Sequence, residues 1–246
     1  ETPNWELLIG HHDEIKIEHL DCFANYAILF TKQHGLPQLK IINNYDFDHI
    51  TNFDIMNIFN EEIYDISPGH NQMYLTNKYI FDYDSLITPP STYSIEPQVK
   101  DHSTNYNLTL IKTEEVLNNY DKNNYGTKRL LVPIDSTSKR KLPVSIVYNK
   151  NKYKADGKHP LLLYGYGSYG LSIDPYFSYS RISLLDRGIA FAIAHVRGGN
   201  ELGETWHHQG RLDCKKNTFT DFIAAAEYLI QNQYTRSNKL IIQGRS

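Results

Sequence analysis

Pro160-Leu-Leu-Leu-Tyr-Gly-Tyr-Gly-Ser-Tyr-Gly170 is an apolar run of strand length that breaks into a glycine-rich loop. Four consecutive apolar or aromatic residues, Leu161 to Tyr164, predict a strand buried on both faces, as in a parallel sheet. Downstream, Tyr179-Ser-Arg-Ile-Ser-Leu-Leu-Asp-Arg187 has helical spacing and stops at Gly188, and Ile189-Ala-Phe-Ala-Ile-Ala-His195 reads as a second buried strand. Thr218 to Asn232 places Phe219, Phe222, Ile223, Ala226, Leu229 and Ile230 on one predicted helical face, with Asn217 as its N-cap, and Leu240-Ile-Ile242 supplies a third strand. Strand, helix, strand, helix, strand predicts an α/β unit with a mostly parallel sheet.

Upstream the period changes. Leu130-Leu-Val132 and Val144-Ser-Ile-Val-Tyr148 read as a hairpin, whereas residues 98–128 are polar around a single strand-like run, Leu108-Thr-Leu-Ile111. From Ile15 to about Glu96 the chain runs in short apolar segments, such as Tyr26-Ala-Ile-Leu-Phe30, Leu39-Lys-Ile-Ile42 and Gln72-Met-Tyr-Leu-Thr76, between polar turns. These are expected to be antiparallel strands, uninterrupted by any helical stripe, and they amount to about two propeller blades.

Composition narrows the function. With 246 residues, 40% of them hydrophobic, the chain can bury a large core. Its 25 basic and 28 acidic residues leave a formal net charge of −3, so no field favours nucleic acid or an anionic membrane. No apolar stretch reaches the ~18 residues needed to span a bilayer. Cys22 and Cys214 fit neither a disulfide framework nor a metal spacing, and a cytoplasmic setting is expected. The chain opens on Glu1 rather than methionine, and a longer natural protein is expected.

Three motifs could carry chemistry. Gly165-Tyr-Gly-Ser-Tyr-Gly170 fits Gly-x-Gly-x-x-Gly, which in a dinucleotide site lets a pyrophosphate approach a helix N-terminus. Tyr166 and Tyr169 obstruct that approach, no helix opens after Gly170, and the next strand ends at His195-Val-Arg197 without an acidic ribose partner. A tight turn without a ligand is the alternative. The C-terminal Leu240-Ile-Ile-Gln-Gly-Arg-Ser246 is a strand running into Gly-x-Ser, the front half of a nucleophile elbow, although a serine in an ordinary loop has the same sequence. His207-His208, with His195 nearby, lacks a metal-ligand spacing, so surface or packing roles are expected and no metal.

Longer runs add specificity. His159 to Gly170, Phe177 to Gly188, His195-Val-Arg-Gly-Gly-Asn-Glu-Leu-Gly203 and Lys215-Lys-Asn-Thr-Phe-Thr-Asp221 together resemble the catalytic domain of the prolyl oligopeptidase family, in its oligopeptidase B branch. The likeness extends more loosely through Ser85-Leu-Ile-Thr-Pro89 into the first half. It implies an α/β fold, the start of an α/β-hydrolase domain preceded by part of an all-β propeller. The implied division is 1–97 as the last two blades, 98–128 as the crossing, and 129–246 as the beginning of the peptidase domain. It further implies that Ser246 is the nucleophile, that the Tyr166 hydroxyl helps form the oxyanion hole, and that Asp174 binds a basic residue at the substrate's P2 position. A second acidic P2 residue of the family is replaced here by Tyr176. The implied activity is hydrolysis of short peptides after Arg or Lys, without metal or organic cofactor. In the chain order of such hydrolases the Asp and His of the triad follow the serine, so the chain is expected to be cut at its nucleophile and inactive alone. A non-catalytic remnant of a split or decayed gene, or an esterase, is the alternative.

Overall fold

The computed structural model describes residues 7–97, 106–117, 119–134 and 140–245. Among them three sheets form. The first is an antiparallel meander of β1 (Ile15–Cys22), β2 (Tyr26–Gln33), β3 (Leu36–Asn43) and β4 (Thr51–Phe53). A short helix, α1 (Ile55–Phe59), leads to a second meander of β5 (Asp65–Pro68), β6 (Tyr79–Asp84), β7 (Ser91–Glu96) and β8 (Asn107–Thr113). Aromatic side chains of both sheets share one core: Phe53 meets Phe81 edge-on at 5.9 Å, and Phe59 stacks on Tyr83 at 4.0 Å. Two four-stranded units joined through their faces are the arrangement of adjacent propeller blades.

Three sequence expectations for this half are corrected. Gln72–Thr76 is a turn with Met73 and Leu75 exposed; the strand lies at β6, where Tyr79, Phe81 and Tyr83 alternate into the core. The Asn71 side chain bridges to the backbone of Ile80 and closes this turn. The helix α1 was not expected, because five residues are too few to show a period; Asp54 caps it by accepting from the Asn57 N–H. Leu108–Ile111, read as part of the crossing, pairs with β7 as the outer strand of the second sheet.

The third sheet contains β9 (Tyr125–Pro133), β10 (Lys141–Asn149), β11 (Leu161–Gly165), β12 (Ala190–Ala194) and β13 (Leu240–Gly244), in the order β13-β11-β12-β10-β9. The β9–β10 hairpin is antiparallel and joins β12 antiparallel, while β12, β11 and β13 run parallel. Between them come α2 (Tyr179–Leu185), α3 (Glu204–His208) and α4 (Lys216–Gln231). Alternate residues of the parallel strands serve opposite faces. Phe191 and Ile193 pack with Leu185 of α2, whereas Leu161, Leu163, Ala190 and Ala192 pack with Ala225 and Leu229 of α4. Helices on both faces make this the expected α/β unit.

The α4 face differs from the expected one. Its buried residues are Thr218, Asp221, Ala225 and Leu229, while Phe219 and Ile223 are 61% and 54% exposed. The helix turns this way because the Asp221 carboxylate receives Nε and Nη2 of Arg197 at 2.8 and 2.5 Å, which fixes its rotation on the sheet. Asn217 is not the N-cap; its side chain donates to the Gln209 carbonyl at 2.8 Å.

Candidate active site

The chain leaves β11 for β12 on one side and returns from β12 to β13 on the other, so β11 is the point where the connections change direction. In open α/β sheets a crevice opens there, beyond the carboxyl ends of the strands. Gly165 and Gly244 are register partners at those ends. Adjacent strands lie about 4.8 Å apart. Tyr166 and Arg245 therefore emerge side by side, and both line a 470 Å³ cavity with Val196, Phe222, Ile223 and Ile242. Ser246, the expected nucleophile, lies outside the described residues.

Tyr166 is half-buried and sits on a loop with little freedom. Gly167 has φ +74°, and a Cβ there would meet Thr218 Cγ2 at 2.5 Å and Val196 Cγ2 at 2.6 Å. Gly198, at φ +101°, lets its backbone approach the Gly167 carbonyl so closely that any side chain would collide with it. Gly170 N–H donates to the Gly198 carbonyl at 3.0 Å. The Lys215 ammonium donates to Gly167 O at 2.5 Å and Ser168 Oγ at 2.9 Å. Among the described residues no group takes the Tyr166 hydroxyl, which leaves its proton available to a ligand.

Asp174 is already engaged. Its Oδ1 accepts from Lys32 Nζ at 2.6 Å, across the junction between the first sheet and the α/β unit. Burial lowers the Lys32 pKa, but Asp174 and Glu18 outweigh it and the net shift is upward. Nearby, Asp84 accepts from the Phe177 N–H at 3.0 Å. Burial, reinforced by Asp174, pushes Asp65 up to about 7; burial also pushes Asp84 up to about 6. Tyr176 is exposed and lies against the Arg181 guanidinium, which also donates to its carbonyl.

The histidines play other parts. His195 is buried, with Nε2 2.8 Å from Ser145 Oγ and Nδ1 3.6 Å from Glu201 Oε1. The trio has the composition of a serine–histidine–acid triad, yet Ser145 is 2% exposed inside the sheet, out of reach of any substrate. His207 Nδ1 contacts the Gly198 carbonyl at 3.0 Å, and His208 pairs with Glu204 at the surface. Sequence reasoning did not identify Lys32 or Lys215. Lys32 lies between Thr31 and Gln33, just past the apolar run of β2, and Lys215 opens the Lys215–Asp221 run, but nothing local shows that either side chain turns inward.

Comparisons with known proteins agree with this fold. Residues 1–106 match the family model described as prolyl oligopeptidase, N-terminal beta-propeller domain, and residues 175–246 match that of the prolyl oligopeptidase family. Dipeptidyl aminopeptidase BI of Pseudoxanthomonas mexicana is 33% identical over 99% of the chain and 32% of its own length. Protease 2 of Moraxella lacunata is 31% identical over 97% of the chain and 32% of its own length. The structure of oligopeptidase B from Leishmania major superposes with a TM-score of 0.83 at 34% identity, over 97% of this chain and 33% of that one. The chain thus spans about a third of the length of these relatives. The two family models match in the order in which the propeller sheets and the α/β unit follow one another, and the chain belongs to the prolyl oligopeptidase family of serine peptidases.

Proposed function

We propose that Ser246 is the nucleophile of a peptidase that cleaves short peptides after Arg or Lys through an acyl-enzyme. The observation that carries this reading is the pairing of Gly165 with Gly244, which brings Tyr166 and Arg245, the residue before Ser246 in sequence, to one crevice. Ser246 Oγ attacks the scissile carbonyl carbon while a base removes its proton. The carbonyl oxygen becomes an oxyanion that accepts from the Tyr166 hydroxyl, a donor held ready before charge develops. Collapse expels the amine, which takes up the proton, and water then releases the acyl group. His195 and His207 contact other groups and His208 pairs with Glu204 at the surface; the likeness to hydrolases whose triad runs in the order Ser, Asp, His assigns the base to a residue that follows Ser246 in the natural polypeptide.

The preference for basic peptides is what the resemblance of the sequence runs implies, and one structural observation supports it. A 360 Å³ pocket at the junction is lined by Asp65, Asp82, Asp84 and Glu114 against one cation, Lys112, beside Tyr176, which leaves an excess of acidic groups. Asp174 is assigned to P2 recognition only when Lys32 releases it. The likeness to a dipeptidyl aminopeptidase favours a second reading, release of dipeptides from a free amino terminus.

The test uses the polypeptide carrying this chain with the flanking residues its gene encodes. Internal cleavage of a blocked peptide after Arg or Lys, abolished by Ser246→Ala, is the expected result. Activity only on unblocked peptides would favour dipeptide release. Hydrolysis of esters but no amide would overturn the peptidase reading.

A further inference from the structure

We infer that Lys215 is a positioning residue for the reaction proposed above, its ammonium clamping the Gly167–Ser168 segment so that the preceding Tyr166 hydroxyl points at the oxyanion. The inference rests on the oxyanion reading of Tyr166. An ammonium carries three protons, and three acceptors surround this one: Gly167 O at 2.5 Å, Ser168 Oγ at 2.9 Å and Thr218 Oγ1 at 3.2 Å.

This is an unusual situation for a lysine at the start of a surface helix, where the side chain normally extends into water. Lys215 turns inward and its pKa is lowered by burial. No carboxylate pairs with it among the described residues. Lys215 is half-buried, and its three bonds to neutral oxygens hold the lysine and the loop against one another. Two of them belong to the glycine loop itself. The third, Thr218 Oγ1, donates to the Arg197 carbonyl at 2.7 Å and so ties the clamp to the strand end after β12. Arg197 is in turn locked by Asp221.

The Gly167 carbonyl belongs to the residue directly after Tyr166. With its oxygen fixed the Gly167–Ser168 peptide plane is restrained, and turning that plane, which would shift the loop next to Tyr166, costs the Lys215 bond. Nothing else described grips this carbonyl strongly, since the Thr218 hydroxyl reaches it at 3.4 Å. Lys215 is therefore assigned an effect on where the tyrosine donor points, without contact to the reacting atoms.

A double-mutant cycle on an arginyl anilide tests this in the full natural polypeptide. Tyr166→Phe is expected to lower kcat about 100-fold. Lys215→Met is expected to lower kcat about 10-fold while leaving KM within about twofold, and Lys215→Met combined with Tyr166→Phe to fall no more than about threefold below Tyr166→Phe alone. If Lys215→Met fails to fold, Ser168→Ala decides instead, with a kcat loss of about threefold that vanishes in the Tyr166→Phe background. Additive losses, an effect confined to KM, or full kcat in the Lys215 or Ser168 variant overturns the positioning role and leaves the oxyanion reading standing. Full kcat in Tyr166→Phe overturns the oxyanion reading, and the role of Lys215 falls with it.

Discussion

Lys32 sits near the end of β2, after the buried Thr31, and its side chain is 4% exposed. Its partner Asp174 is not so enclosed, with 39% of its side chain exposed. That asymmetry gives a prediction. Asp174→Ala strands a buried ammonium and is expected to cost about 2–4 kcal/mol, whereas Lys32→Met leaves a carboxylate that water can reach and is expected to cost under about 1 kcal/mol. Urea unfolding of both variants measures the difference; equal losses would mean that Lys32 is solvated in solution. The same pair explains what was legible in the sequence. Tyr166 and Ser246 stand in short motifs, but the roles given to them, and the choice of Asp174, came from the resemblance of longer runs to a family. The partner of Asp174 lies 142 residues away and two of the three acceptors of Lys215 some 47 or 48, and no spacing rule encodes contacts made only by folding.

At the level of elements, the loop after β12 and the loop after β11 are fitted backbone to backbone. Gly198 permits this by its positive φ and its lack of a side chain. Gly198→Ala is expected to destabilise the protein by about 2–3 kcal/mol and to lower kcat, since the collision pushes the Tyr166 loop outward. Thermal unfolding together with kcat checks it, and a variant with unchanged kcat would show that the loop tolerates the shift. Periodicity located β11, β12, α2 and α4 well because each buries apolar residues at its own spacing. It misjudged the rotation of α4, where a carboxylate, Asp221, faces inward to hold Arg197 while Phe219 and Ile223 face out. Hydrophobicity alone cannot anticipate an ion pair that sets a helix face. It also placed a strand on Met73-Tyr-Leu75, apolar residues that the fold leaves exposed in a turn.

Across the whole molecule, the change from short alternating strands to buried strands and helices marked the passage from propeller to α/β unit. The last propeller strand was missed because β8 is mostly exposed and reads as polar linker. The junction of the two halves carries a pH dependence. Asp65 and Asp84 stand opposite each other on β5 and β6, and their pKa values are raised to about 7 and about 6. Both exceed the ~3.9 of an unfolded aspartate, so between those values the folded state binds more protons and stability falls as pH rises. Tm is expected to drop by roughly 5 °C from pH 5 to pH 8, with much of that slope removed in Asp65→Asn. A Tm that rises over this range would place both carboxylates in water. The central claim, that this crevice is built around a nucleophilic serine, is tested most directly by reacting the natural polypeptide with a fluorophosphonate and locating the adduct by mass spectrometry. The account predicts a single modification on Ser246, with labelling slowed by Tyr166→Phe; labelling elsewhere, or none at Ser246 in a folded protein, would contradict it.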